Sequence, residues 1–122
     1  FRKNPFGGEY TVFAGLEEVL KHISSFSVTP EQVAYLREQM PSCEPGFFDY
    51  LASLDARSLR VYAVAEGTVV FPRTPLIRVE GPLALGQLLE TTILVLCNYA
   101  SLMTTNASRF RLAAGPDKVL PE

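Results

Sequence analysis

ETTILVLCNYASLMTTNASR, residues 90–109, opens on Glu90, closes on Arg109 and carries no charge between them. A helix needs about 20 apolar residues to cross a bilayer, so length alone admits a membrane span. The content argues against one. Four threonines, two asparagines and two serines lie between Thr91 and Ser108, and that polarity makes insertion costly. Two readings then stand side by side. In one, this is a central helix buried on most sides, its polar groups satisfied by neighbouring backbone. In the other, it lies at a subunit interface and its polar stripe faces a site.

The helical pattern extends in both directions. From Leu83 there is no proline, and no glycine after Gly86 until Gly115, which predicts a helix of up to about 30 residues. On a period of about 3.6 residues, Leu85, Leu88, Leu89, Ile93, Leu96, Ala100, Met103, Ala107 and Phe110 share a broad apolar face. A second stripe, Gln87, Glu90, Thr91, Leu94, Asn98, Ser101, Thr105 and Arg109, is polar except at Leu94. Small residues at Ala100, Ser101, Ala107 and Ser108 would let another element approach closely.

Upstream, FRKNPFGGEYTVFAG reads as the end of a strand, a turn at Asn4-Pro5 and Gly7-Gly8, and a second strand in which Tyr10, Val12 and Ala14 alternate with Thr11 and Phe13. After Gly15, the residues Leu16, Val19, Leu20 and Ile23 recur at helical spacing. Thr29-Pro30-Glu31-Gln32 is a helix start with a capping box, and Val33, Leu36 and Met40 form the face that follows, ending at Pro41. A third short helix begins at Pro45 and carries Phe47, Phe48, Tyr50, Leu51 and Leu54. The pattern then turns to strands at Arg60–Val64, Thr68–Phe71 and Leu76–Glu80, with a turn at Glu66-Gly67. The order is α+β.

Composition narrows the function classes. With 122 residues, 48% of them hydrophobic, the chain can bury one small core. A net charge of -2 gives no electrostatic footprint for nucleic acid or an anionic membrane. Cys43 and Cys97 stand far apart, and His22 is the only histidine, so neither a zinc site nor a disulfide framework is expected. Two free thiols fit a reducing compartment. His22 lies in a helical pattern with no Gly-x-Ser-x-Gly motif in the chain, and reads as an ordinary helical residue. Cys97 reads as a small core residue, and Arg73 and Arg78 as exposed. The chain starts without Met and stops at VLPE just after a helix, which suggests a piece of something longer.

In order and spacing, FRKNPFGG, AEGTVVFPRTPLIRVEGPL, QLLETTILVLCNYASLMTTNASR and AAGPDK resemble the amino-terminal part of the nicotinate phosphoribosyltransferase family, most nearly its animal type. The specific parts are EG-x4-P-x2-P-L-x2-V-x-GPL and LLET-x13-TNA-x-R, and the resemblance covers essentially the whole chain. It implies a type II phosphoribosyltransferase, with an α/β sandwich domain beside an incomplete barrel. Residues 1–122 would then form one partial domain: the amino-terminal sandwich with a barrel-sandwich-like β portion, and the long carboxy-terminal helix connecting it to an absent catalytic barrel. The implied reaction joins nicotinate to 5-phosphoribosyl 1-diphosphate, giving nicotinate mononucleotide and diphosphate, with ATP hydrolysis coupled through a phosphohistidine, in NAD biosynthesis. The resemblance also implies Mg2+ and ATP, a cytosolic homodimer with sites at the subunit interface, and no nucleic-acid or membrane partner.

By the same resemblance, the family's phosphohistidine falls beyond Glu122, its ring-stacking tyrosine before Phe1, and its GLRRAQG-like segment just after the chain. No catalytic residue or metal ligand is therefore assigned here, and residues 1–122 alone are expected to be inactive. The substrate or interface candidates are Arg2, Lys3, Asn98, Ser101, Thr105, Asn106 and Arg109. Arg2 and Lys3 either contact substrate phosphates or brace a neighbouring subunit, or are simply a solvated pair beside a turn. Thr104, Thr105, Asn106 and Arg109 either reach a site or bond to adjacent backbone. Two other readings are a non-catalytic barrel-sandwich binding module and a dimerisation domain without chemistry. A carrier role is disfavoured because the tip Ala65-Glu66-Gly67-Thr68 has no lysine.

Overall fold

Patterning and turn chemistry decide where each element begins. The computed structural model describes residues 3–119. A short 3-10 turn over Pro5–Gly7 leads into β1 (Thr11–Val12). Three short helices follow: α1 (Leu16–Ser24), α2 (Pro30–Gln39) and α3 (Pro45–Ser53). Then come β2 (Arg60–Ala63), β3 (Val69–Val70), β4 (Ile77–Glu80) and the helix α4 (Leu83–Ala114). At 32 residues, α4 is about 48 Å long by the usual rise per residue. The architecture is α+β, as the sequence order implies.

The local starts follow their chemistry. Thr29 accepts from the Gln32 backbone while the Gln32 side chain accepts from the Thr29 backbone, so the capping box is complete, and Pro30 occupies the first turn of α2. Pro45 opens α3 in the same way. For α1 the cap comes from far along the chain. Gly15 sits at φ 94 and offers no side chain, and the Glu66 carboxylate accepts the backbone N–H groups of Gly15 and Leu16. A negative charge at a helix amino terminus also complements the helix dipole.

The strands form two separate two-stranded antiparallel sheets, β1 with β3 and β2 with β4. Glu66-Gly67 therefore joins strands of different sheets, and the turn does not close a hairpin between β2 and β3. Thr11 pairs with Val70 and Val12 with Val69, while Arg60 to Ala63 pair with Glu80 to Ile77. The core lies between β1, α1 and the first half of α4. Phe13, Val19, Leu85 and Leu89 are fully buried, with Ile23, Val70 and Cys97 beside them. Gly15 makes this packing possible. A Cβ there would lie 2.8 Å from the Leu96 carbonyl oxygen and 3.0 Å from the Ala100 Cβ, so α1 starts in direct contact with α4.

Three expectations change. The strand end expected before the first turn is not formed at Lys3 and Asn4, and Phe1 and Arg2 lie outside the described residues. Leu20 of α1 is exposed. Most importantly, α4 is not buried on most sides. Leu88, Val95, Tyr99, Met103 and Phe110 are all exposed, because two small sheets and one short helix cover only one side of so long a rod.

Candidate functional site

The polar stripe of α4 faces β1. The Phe13 N–H points to the β3 side and bonds the Thr68 carbonyl. The alternate N–H groups point the other way, where α4 takes the place of a strand. Val12 N–H donates to Thr105 Oγ1 at 2.9 Å, and Ala14 N–H to Ser101 Oγ at 3.1 Å. The two hydroxyls donate onward, Ser101 to the Ala14 carbonyl and Thr105 to the Ser101 carbonyl. Both side chains are buried and neither is left without a partner.

The spacing makes the match. Four residues along a helix advance about 6 Å, and two residues along a strand advance about 6.6 Å. Hydroxyls at i and i+4 on a helix thus reach alternate N–H groups of a strand laid beside it. The next step of the same ladder is Arg109, whose Nη2 lies 3.5 Å from the Tyr10 carbonyl oxygen. Its guanidinium also stacks over the Tyr10 ring at 5.2 Å and rests against Gly8, where a Cβ would collide with it. The Tyr10 hydroxyl and Ser108 Oγ are 3.0 Å apart. On the far side of the strand, Thr11 Oγ1 donates to the buried Asn4 side chain at 2.8 Å, tying the Pro5–Gly7 turn to β1.

These residues border a cleft of about 300 Å³ lined by Lys3, Tyr10, Thr11, Asn98, Ser101, Thr105 and Arg109, among others. Five of the seven candidates from the sequence meet there. Asn106 does not line it, and Arg2 lies outside the described residues. Ser101 and Thr105 line the cleft and at the same time bond to adjacent backbone through their hydroxyls. Lys3, Asn98 and Arg109 are the other candidates among its lining residues. Two contributors escaped the sequence reading. Tyr10 was legible only as a strand residue, and Glu66 only as part of a turn, since its partners lie some fifty residues away.

A second cavity of about 530 Å³ lies between β4 and the first half of α4. Its walls are mostly apolar, with Gln87, Glu90 and Asn98 the polar residues contributed by the helix. Cys97 borders both cavities. Burial pushes its thiol above the ordinary value, and the nearby charge of Glu66 adds to the shift. A shift in this direction favours the neutral thiol over the nucleophilic thiolate. His22 lies away from both cavities.

Comparison with known proteins places this geometry in context. Residues 1–98 match the family described as the nicotinate phosphoribosyltransferase (NAPRTase) N-terminal domain. The chain is 59% identical over 122 residues to nicotinate phosphoribosyltransferase of Dictyostelium discoideum, covering 100% of this chain and 21% of that protein. It is 57% identical to nicotinate phosphoribosyltransferase 1 of Arabidopsis thaliana, again over the whole chain and 22% of the relative. Identity to the Homo sapiens nicotinate phosphoribosyltransferase is 44%, over 23% of that protein. The crystal structure of human nicotinic acid phosphoribosyltransferase superposes with a TM-score of 0.90, over 98% of this chain and 24% of that one. The chain thus spans less than a quarter of the length of these relatives.

Proposed function

The chain belongs to the nicotinate phosphoribosyltransferase family, and from that premise we propose that it is the amino-terminal part of an enzyme joining nicotinate to 5-phosphoribosyl 1-diphosphate. The products would be nicotinate mononucleotide and diphosphate, in NAD biosynthesis, with coupled ATP hydrolysis. The observation that carries the reading is the 0.90 TM-score at 44% identity to the human enzyme's structure, over nearly the whole chain.

In this reading residues 1–122 form one partial domain whose work is structural and positional. α1, β1 and α4 make a rigid unit, and α4 runs on from it as the connection to a catalytic barrel. The exposed apolar side of α4 supports such a connection, since Val95, Tyr99 and Met103 are 61%, 67% and 50% exposed. The same surface supports a homodimer with sites shared between subunits. The two free cysteines suit the cytosol. By length and composition α4 would pass for a membrane span. Its engagement with β1 through Ser101 and Thr105 supports a protein environment instead, and the net charge of -2 supports small-molecule substrates rather than nucleic acid.

Mg2+ and ATP are part of the proposed whole-enzyme reaction. The residues at hand do not fit them: among the described residues, no three His, Cys, Asp or Glu side chains gather where a metal could sit. Their place in this reading is the barrel. A carrier role has no support from the Glu66 turn, which has no lysine and whose carboxylate is turned in to cap α1.

A chimera tests the proposal. Residues 1–122 replace the matching segment of the Dictyostelium discoideum relative, and nicotinate mononucleotide synthesis is assayed. Retained synthesis is expected, and a folded chimera with no synthesis would sink the reading. Residues 1–122 alone should give no product.

A further inference from the structure

The chain leaves its core at one point and returns to it at another. Phe26 and Ala56 are both packed against the central cluster that holds Phe13, Val19, Leu85 and Leu89. Their neighbours Ser27 and Asp55 face each other in an isolated antiparallel bridge. Residues 28–54 lie beyond that bridge and contain α2 and α3. Their buried side chains, Phe48, Leu51 and Leu54, are not part of the central cluster, and α2 has no buried residue. The main packing partner of α2 is α3. The polar contacts are as local: among the described residues, every hydrogen bond and ion pair made by residues 28–54 ends within them. Arg37 clamps one helix to the other. Its guanidinium donates to the Asp49 carboxylate at 2.8 Å and lies 4.8 Å from the centre of the Phe48 ring. The Phe47 ring meets Phe48 edge-on. With 10 and 9 residues, α2 and α3 are both shorter than the roughly 12–15 residues at which isolated helices become stable in water. Each therefore depends on the other.

We propose that residues 28–54 are a separately opening unit of this domain: α2 and α3 unfold and refold together, hinged at the Ser27–Asp55 bridge, while α1, β1 and α4 stay folded. Native proteins open in cooperative pieces where a supersecondary motif shares few contacts with the rest. Opening here gives up the Arg37 clamp and the burial of Phe48, Leu51 and Leu54. It leaves in place the packing of Leu85 and Leu89 on Phe13 and Val19, and the bonds from Ser101 and Thr105 to β1. The result is a switchable surface. Phe48, Leu51 and Leu54 become accessible beside Phe47 and Tyr50, which are exposed already. The bridge also insulates the long helix, because a disturbance of α2 and α3 stops at Ser27 and Asp55 and does not reach α4. The inference rests on these contacts and not on the family reading.

The test is native-state amide exchange of the 122-residue chain, read residue by residue by two-dimensional NMR in urea below the unfolding transition. Leu36 in α2 and Leu51 in α3 should exchange through one common opening with a shallow urea dependence, because that opening exposes little surface. Phe13 and Leu89 should exchange more slowly and follow the full slope of global unfolding. Phe48→Ala removes the ring that Arg37 covers, and should speed exchange at Leu36 and Leu51 together by about a hundredfold. Phe13 and Leu89 should stay within about twofold of the parent, as expected for sites outside the altered unit. Arg37→Gln is the milder variant: it keeps the hairpin folded, removes an exposed charge pair, and should speed the same two amides about threefold. The proposal is overturned if Leu36 and Leu51 share the rate and urea slope of Phe13 and Leu89. It is overturned equally if either variant quickens all four alike, or if Leu36 responds without Leu51. None of these failures touches the family reading, which the chimera's synthesis reports separately.

Discussion

The two halves of α4 hold the domain together by different means. From Leu85 to Cys97 the buried side is apolar, and it packs Leu85 and Leu89 against Phe13 and Val19 with no solvent access. From Ser101 onward the buried side is polar, and it holds β1 through hydroxyls placed one helical turn apart. The stripe drifts from one chemistry to the other because the partner changes. α1 and the strands offer side chains to the first half, whereas β1 offers an unpaired backbone edge to the second. An unpaired strand edge needs acceptors for its N–H groups, and serine and threonine supply them without adding bulk.

The first half should be the more sensitive. Leu89→Ala removes a fully buried side chain from the centre of the core, and such truncations cost about 2–5 kcal/mol. Small domains have only about 5–15 kcal/mol in total. Thermal unfolding should therefore shift down by tens of degrees or lose its cooperativity. A shift as small as that of a surface substitution would mean that the core does not centre on Leu89.

The same division explains what could be read from the sequence. α4 was legible from the missing breakers between Gly86 and Gly115, and α2 from Thr29 and Gln32, because both signals are local. The stripe of Asn98, Ser101, Thr105 and Arg109 was legible as a stripe. Its partner was not, since nothing near residue 101 records that Ala14 will lie beside it. The apolar face misled for a related reason. Leu88, Met103 and Phe110 share the helical period of core residues, yet periodicity says only that a face exists, not that this chain covers it. Glu66 shows the limit most clearly: its role as the cap of α1 depends wholly on tertiary placement. Sheet pairing was hidden too, because a turn at Glu66-Gly67 looks the same whether it closes a hairpin or crosses between sheets.

The second half should respond to hydrogen-bond chemistry rather than volume. Thr105→Val keeps the shape of the side chain but removes the acceptor of the Val12 N–H. Leaving a buried donor unsatisfied costs about 1–3 kcal/mol, and the Val12 N–H, which is part-buried, should fall towards the lower end. Thr105→Ser keeps the hydroxyl and should recover most of that loss, measured by chemical denaturation. Amide exchange at Val12 should quicken in Thr105→Val and stay slow in Thr105→Ser. If the valine variant matched the parent in both measurements, the two halves would be held by one mechanism, and the hydroxyl ladder would be incidental.

The outer side of α4 supplies the smallest effect and the sharpest control. Tyr99 is 67% exposed. In the 122-residue chain Tyr99→Glu should change stability by no more than about 0.5 kcal/mol, as isolated surface substitutions do. In the chimera the same substitution meets whatever covers that face. If α4 is the connection to the rest of the enzyme, a charge buried there without a partner should lower stability or assembly well beyond the value in the chain alone. An equal, negligible effect in both would leave this face of α4 in solvent and remove the support its exposed apolar residues give to the connecting role. A large effect in the chain alone would contradict the exposure of Tyr99 itself. The substitution thus separates the side of α4 that the domain uses from the side it leaves for a partner.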